Sequence, residues 1–237
     1  MPHTWLKGTV VKIIEETYNT RRFFIKVPEL PSFDFVAGQF VTIDCPIHEK
    51  PNKRWRSYSI ASVPDGTNTY ELLIVLVEDG LATPWMFSSW EVGTEILFRG
   101  PQGVFTLKQE HLREDLFLVC TGTGIAPFRS MLHYLIRENV PHAAIYLIHG
   151  CRTQRDLLYY EEMKALQLEN FHYIPTLSRE EWEGKTGYVH AIYEEHSGEK
   201  PGSNFFLCGW KNMIDEARHR IIQLGFDKKA VHFELYG

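Results

Sequence analysis

Five compact apolar runs, "DLFLVC", "AAIYLIHG", "FHYIPTL", "SNFFLCG" and "AVHFELY", follow one another after about Glu110. Between them lie the amphipathic segments "PFRSMLHYLIREN", "LLYYEEMKALQ", "TGYVHAIYEEH" and "NMIDEARHRIIQLG". Alternating strand and helix periods admit few solutions. They predict right-handed βαβ units in an open α/β sheet of five parallel strands, buried on both faces. Ligands of such a sheet bind outside the carboxyl ends of its strands.

No such alternation occurs earlier in the chain. From Trp5 to about Leu107, "KGTVVKIIEE", "RRFFIKVP", "FDFVAGQFVTIDC", "RWRSYSIAS", "TYELLIVLVE" and "EILFRGP" read as six short strands broken by Pro, Gly, Asn and Asp, with Gly38 inside the third. Regular spacing of this kind predicts an antiparallel six-stranded β-barrel. One helix interrupts it, with Thr83 as N-cap and Pro84 at the first helical position. The polar stretch "TLKQEHLRED" links the halves, giving domains 1–110 and 111–237. With 237 residues, 44% of them hydrophobic, each half can bury its own core.

Composition removes several classes of function. A net charge of -5 disfavours a nucleic-acid surface. The four cysteines, Cys45, Cys120, Cys151 and Cys208, are scattered with no Cys-x-x-Cys pair, and no His-Glu-x-x-His occurs among eleven histidines, so no metal or iron–sulfur site is expected. Widely spaced thiols ending apolar runs point to a reducing, cytoplasmic setting. The absence of an eighteen-residue apolar run, and of a charged-then-apolar leader at Met1, argues against membrane insertion or export. A monomer is the default.

Within "VCTGTGIAPF", Gly122 and Gly124 follow the first parallel strand and precede a helix. Glycines there let backbone N–H groups approach an anion, and the helix dipole adds roughly 0.3–1 kcal/mol per charge. Pro127, where a dinucleotide fingerprint carries its third glycine, fits a first helical turn that needs no N–H. Taken alone, the two glycines serve a plain strand–turn–helix corner equally well.

Other stretches separate these readings. "RSYS" (56–59), "GTGIAP", "CGWKNMI" and the closing "VHFELYG" occur in that order on a barrel-then-parallel-sheet pattern. The set resembles the ferredoxin–NADP reductase family over essentially the whole chain. In that family the Thr-Gly-x-Gly-x-x-Pro loop, here Thr121, Gly122, Thr123, Gly124 and Pro127, receives the pyrophosphate of the nicotinamide dinucleotide. The resemblance implies FAD, preferred over FMN, in the barrel and NADP(H) on the parallel sheet.

It also implies roles for individual residues. Arg56 holds a flavin phosphate, a task suited to a planar permanent cation. Ser57 belongs to the same motif, Tyr58 lies on one flavin face, and the Ser59 hydroxyl reaches toward N5. Leu73, Ile74 and Val75 resemble the strand whose backbone bonds the flavin ring. Leu81, Ala82 and Thr83 match the segment capping the flavin phosphate, with threonine replacing the usual serine, and Thr121 is assigned to the flavin as well. Out of context, Arg56 reads as a surface charge and Tyr58 as a core aromatic.

Ser178 and Arg179 match the pair that binds the 2′-phosphate in NADP-using members, Arg152 stands where bacterial relatives place a further cation, and Tyr188 lies near the adenine. Glu180 complicates this, because NAD sites present an acid to the ribose. Cys208 and Gly209 correspond to the residues beside the nicotinamide, with Ser59, Cys208 and Glu234 as the catalytic set. Tyr236 matches the terminal aromatic on the other flavin face, with Phe233 as the substitute, since Gly237 extends the usual ending. The activity implied is hydride acceptance from NADPH and release of single electrons to ferredoxin or flavodoxin. An NADH-dependent oxygenase reductase, a flavin or quinone reductase, and a nucleotide-sensing regulatory subunit remain alternatives. Lys50, Lys53, Arg54 and Arg56, with Arg21, Arg22 and Lys26, read equally as a basic patch that steers an acidic carrier or as a solvated charged loop.

Overall fold

The computed structural model describes residues 4–198 and 202–236. They fall into two compact units: the first runs through Thr106 and includes Arg129–Tyr134, and the second takes the remainder from Leu107.

In the first unit, β1 (Leu6–Thr17), β2 (Thr20–Lys26), β3 (Phe40–Asp44), β4 (Trp55–Ser59), β5 (Thr69–Val75) and β6 (Glu95–Gln102) form one sheet, with helix α1 (Ala82–Ser89) between the last two. The order is β4-β3-β6-β1-β2-β5 and every pairing is antiparallel. The ends β4 and β5 meet at an Ile60–Leu72 bridge and through the Ala61 N–H, which donates to the Glu71 carbonyl at 2.9 Å. Closure removes most of the exposed edge and encloses Val10, Phe23, Ile25, Ile43, Tyr70, Leu72 and Phe98.

Two local expectations change. Residue 38 lies outside β3: with φ +99° and an added Cβ only 2.0 Å from the Phe105 carbonyl oxygen, Gly38 marks a close crossing of loops. Thr83 does not cap α1. The helix starts two residues earlier, after Leu81, and the Thr83 hydroxyl accepts instead from the Val77 N–H at 2.8 Å, tying down the preceding loop.

The second unit carries β7 (Leu116–Thr121), α2 (Ile125–Arg137, which contributes Arg129–Tyr134 to the first unit), β8 (Ile145–Cys151), α3 (Tyr160–Lys164), β9 (Phe171–Leu177), β10 (Lys185–Thr186), α4 (Val189–Ser197), β11 (Asn204–Trp210), α5 (Lys211–Gln223) and β12 (Val231–Tyr236). The order is β10-β9-β8-β7-β11-β12, parallel throughout. Among the described residues the sheet therefore has six strands where periodicity predicts five. The extra strand, β10, is a two-residue edge pairing with β9, too short to leave a periodic signal. Phe117, Val119, Phe205 and Leu207 pack with Val189 and Ile192 of α4 and Ile214 and Ala217 of α5. Their neighbours Leu118, Cys120, Phe206 and Cys208 alternate to the opposite face. The strand order reverses between β7 and β11, which makes their carboxyl ends the topological switch point. No helix among the described residues is long and apolar enough to cross a membrane.

Candidate functional site

In the second unit the switch point is built from glycines under three different constraints. Gly122 has φ +52°, in the left-handed region, with open space where a Cβ would stand. A Cβ on Gly124 would lie 2.3 Å from the Cys208 carbonyl oxygen, so this glycine permits loop and strand to touch. Gly209 needs both: φ is +143°, and a Cβ would lie 2.3 Å from the Thr121 hydroxyl oxygen. That oxygen accepts from the Trp210 N–H at 3.3 Å, joining the ends of β7 and β11. The loop Gly122–Gly124 is one 3-10 turn running directly into α2, with Pro127 buried in the helix's first turn. The first N–H groups of such a turn lack intrahelical partners, the feature an anion uses.

Cys208 is fully buried beside this loop and stands in register with Cys120 on β7 and Glu234 on β12. Burial raises its thiol well above the usual range; the Glu234 carboxylate pushes the same way, while a hydrogen bond with Tyr236 opposes. The thiol is therefore kept protonated. Phe233 faces the other way, with the Arg218 guanidinium 4.1 Å from its ring centroid.

At the carboxyl ends of β8 and β9, the Arg179 N–H donates to the Arg152 carbonyl at 2.9 Å and the Ser178 hydroxyl donates to the Cys151 carbonyl at 3.3 Å. An open groove of about 660 Å³ is lined there by Thr153, Gln154, Arg155, Arg179 and Glu180. One oxygen of the Glu180 carboxylate accepts from the Gln154 N–H at 2.7 Å. Sequence reasoning missed Arg155; its signal was a second arginine three residues after Arg152. Tyr188 is 74% exposed at the start of α4.

In the first unit, Arg56 and Tyr58 share one face of β4, and Ser57 and Ser59 the other. The Arg56 guanidinium donates to the Trp55 and Lys53 carbonyls at 2.8 and 3.2 Å, which fixes its stem while leaving it without a carboxylate partner among the described residues. Burial raises the Tyr58 hydroxyl, with Cys45 adding and Arg56 opposing. Ser57 pairs with the Thr42 hydroxyl at 3.2 Å, and Ser59 is buried. Beyond Leu72, the outer edge of β5 along Leu73–Val75 has no strand partner among the described residues. An open strand edge, with an uncompensated guanidinium on the strand that bridges to it, suits a group that carries both a ring able to hydrogen-bond backbone and a phosphate. Leu81 is 63% exposed at the α1 start, whereas Ala82 is buried.

The basic patch is smaller than the sequence suggests. Arg21 bonds Glu15 at 2.8 Å, Arg54 bonds Asp44 at 2.6 Å, and Arg22 is committed to buried Glu71 at 2.7 Å. Lys26, Lys50 and Lys53 stay exposed. The described residues contain no cluster of acids, histidines and cysteines fit for a metal ion.

A barrel with an open β5 edge and a parallel sheet with a glycine-built switch point define a flavin- and dinucleotide-binding oxidoreductase. Residues 7–107 match the oxidoreductase FAD-binding domain family and residues 118–219 the oxidoreductase NAD-binding domain family. Ferredoxin–NADP reductase B of Sorangium cellulosum is 35% identical over 216 residues, 86% of each chain. The anthranilate 1,2-dioxygenase electron transfer component of Acinetobacter baylyi is 29% identical over 189 residues, 78% of this chain; the aligned part spans about half, 53%, of that relative. A solved ferredoxin NADP+ reductase from Neisseria gonorrhoeae with bound FAD and NADP has a TM-score of 0.82 and 26% identity, covering 98% of both chains. The chain belongs to the ferredoxin–NADP reductase family.

Proposed function

We propose that this chain is a flavin-dependent oxidoreductase that takes hydride from NADPH and delivers electrons singly to a separate carrier of the ferredoxin or flavodoxin class. The flavin, read as FAD, is assigned to residues 1–110 and the dinucleotide to residues 111–237. A bound flavin supplies the exchange between two-electron and one-electron transfer. The chain's part is to bind and orient. Arg56 offers a planar cation to a phosphate, the Leu73–Val75 edge offers backbone groups to a ring, and the Gly122–Gly124 turn offers N–H groups to a pyrophosphate. Ser59, Cys208 and Glu234 are the residues assigned to the reacting atoms, with the Cys208 thiol held neutral by its burial.

One observation carries the choice of NADPH. Arg179 and Arg155 line one groove, with the Ser178 hydroxyl and Arg152 on the adjoining chain, while the nearby acid, Glu180, is engaged by the Gln154 N–H. Guanidiniums and a hydroxyl suit a dianionic phosphate, and the groove's one acid, already accepting from a backbone N–H, is outnumbered there by two guanidiniums. Steady-state kinetics test this. Arg179→Gln should raise KM for NADPH about tenfold or more and leave KM for NADH within about twofold, as expected for one charge-assisted contact. Equal losses with both coenzymes would overturn the assignment. Ferredoxin-dependent cytochrome c reduction then tests the carrier.

A second reading, an NADH-dependent reductase component of an oxygenase system, is favoured by the likeness to the anthranilate dioxygenase component. A wild-type preference for NADH would select it.

A further inference from the structure

His149 has no part in the function above, yet it is the most unusual buried polar group of the parallel sheet. It lies in mid-β8, fully buried, in register with Cys120 of β7 and Pro175 of β9. Burying an imidazole is costly unless both nitrogens find partners, and a leucine would fill this place at lower cost. Both nitrogens do find partners. Nε2 is 3.1 Å from the Gly122 carbonyl oxygen, and Nδ1 is 3.4 Å from the Tyr173 hydroxyl. A carbonyl only accepts, so Nε2 carries the proton; Nδ1 is then bare and accepts from Tyr173. Burial pushes the imidazole down to about 4, so it is neutral at physiological pH and this tautomer is its working form.

What His149 holds is the peptide that opens the phosphate loop. In a planar trans peptide, C=O and the following N–H point in opposite directions. Drawing the Gly122 oxygen into the sheet turns the Thr123 N–H away from it. The same oxygen accepts from the Ile125 N–H inside the turn, so it is held from two sides. Cys151 Sγ lies 3.4 Å from Nε2 on the same strand, and its thiol donates to the Asp156 carbonyl at 3.3 Å. We propose that His149, oriented by Tyr173, is a positioning residue of the dinucleotide site: it sets the Gly122 peptide so that the Thr123 N–H faces the pyrophosphate. This role rests on the dinucleotide reading above. It touches no substrate, and its effect passes entirely through the loop.

Calorimetric titration of the holoenzyme with NADP+ and with adenosine 2′-monophosphate separates this role from a structural one. The second ligand carries the 2′-phosphate but no pyrophosphate. His149→Phe keeps ring volume and removes the donor; it should weaken NADP+ about fivefold to tenfold, as expected from one hydrogen bond, and leave adenosine 2′-monophosphate within about twofold. His149→Gln retains an N–H donor near the place of Nε2 and should recover NADP+ affinity to within about threefold. Tyr173→Phe, which removes only a hydroxyl, tests the same chain of contacts should His149→Phe not fold, and should weaken NADP+ about threefold. Wild-type affinity for NADP+ in His149→Phe, or equal weakening of both ligands, overturns the proposal. A wild-type protein that binds NAD+ and not NADP+ moves the comparison to NAD+ against adenosine. Failure to bind either dinucleotide overturns the dinucleotide reading itself, and the role of His149 with it.

Discussion

Replacing Gly124 with alanine probes the contact between the phosphate loop and β11 in isolation. The backbone of Gly124 is not in the left-handed region, so alanine meets no conformational penalty there; the obstacle is space alone. Its Cβ would stand 2.3 Å from the Cys208 carbonyl oxygen, 2.7 Å from the Cys208 carbonyl carbon and 3.1 Å from the Gly209 nitrogen. All three atoms are backbone of a central strand and cannot rotate away. Against a floor of 3.0 Å for real Cβ contacts, the loop must withdraw by about 0.7 Å. Overpacking of a yielding core costs about 1–3 kcal/mol, and a contact made by backbone falls at the upper end. About 3 kcal/mol corresponds to a fall in Tm of roughly 6–12 °C for a chain of this size. The same withdrawal moves the turn's N–H groups off an anion, so dinucleotide affinity falls along with stability.

Gly122→Ala supplies the internal control. It has open space and φ +52°, so its cost is the left-handed penalty of about 1–2 kcal/mol, with no displacement of β11. Scanning calorimetry with calorimetric titration of the dinucleotide should rank Gly124→Ala well below Gly122→Ala in both readouts. If Gly124→Ala matched wild type, or if Gly122→Ala were the more damaging, the loop would not be pressed against β11 and the steric account of the switch point would fail.

Glu71 provides a test in the first unit. Its carboxylate, 2% exposed, accepts from Arg22 Nε at 2.7 Å and from Arg129 at 3.2 Å. Glu71→Ala leaves two largely buried guanidiniums without that carboxylate and should cost about 3–5 kcal/mol, measured by denaturant titration; a loss under about 1 kcal/mol would show that solvent already shares the pair. Acid should destabilise the second unit through His149. Burial holds its pKa at about 4 against an ordinary 6.5, so the unfolded chain binds protons that the folded chain refuses. That stability is fully present above pH 6.5 and declines as pH falls toward 4, a loss of roughly 2–3 kcal/mol by pH 4.5. His232, lowered to about 4 by burial beside His111, adds in the same direction. His149→Gln should flatten the pH dependence of the denaturation midpoint between pH 7 and 4.5, and an unchanged slope would refute the assignment of that loss to His149.

Features set by local backbone demands were legible in the sequence; those set by a distant partner were not. Gly122 and Gly124 could be read because a strand, a tight turn and a helix follow within ten residues, and each leaves its own period. The space constraint on Gly124 was invisible, since the obstructing carbonyl belongs to Cys208, far along the chain. Nothing next to Glu71 in the sequence marks it for burial. It is buried because Arg22 and Arg129, 49 and 58 residues away, bring two positive charges to it. Thr83 followed by proline carried every local mark of a cap, yet a tertiary loop took its hydroxyl. Arg21, Arg22 and Arg54 read as docking charge for the opposite reason: composition counts charges, and only the fold shows that Glu15, Glu71 and Asp44 already use them.

The two aromatics near the terminus are separated by the parity of their strand. Phe233 and Tyr236 are three residues apart on β12, and an odd separation on a strand puts them on opposite faces. Once one is placed, the other follows. Arg218 of α5 sits over the Phe233 ring at 4.1 Å, an arrangement that assigns Phe233 to the face covered by that helix. Tyr236 therefore shares the other face with Glu234, and it is Tyr236, not Phe233, that hydrogen-bonds the Cys208 thiol. An aromatic required beside the cysteine of a parallel sheet must have its parity as well as its chemistry, and only Tyr236 has both.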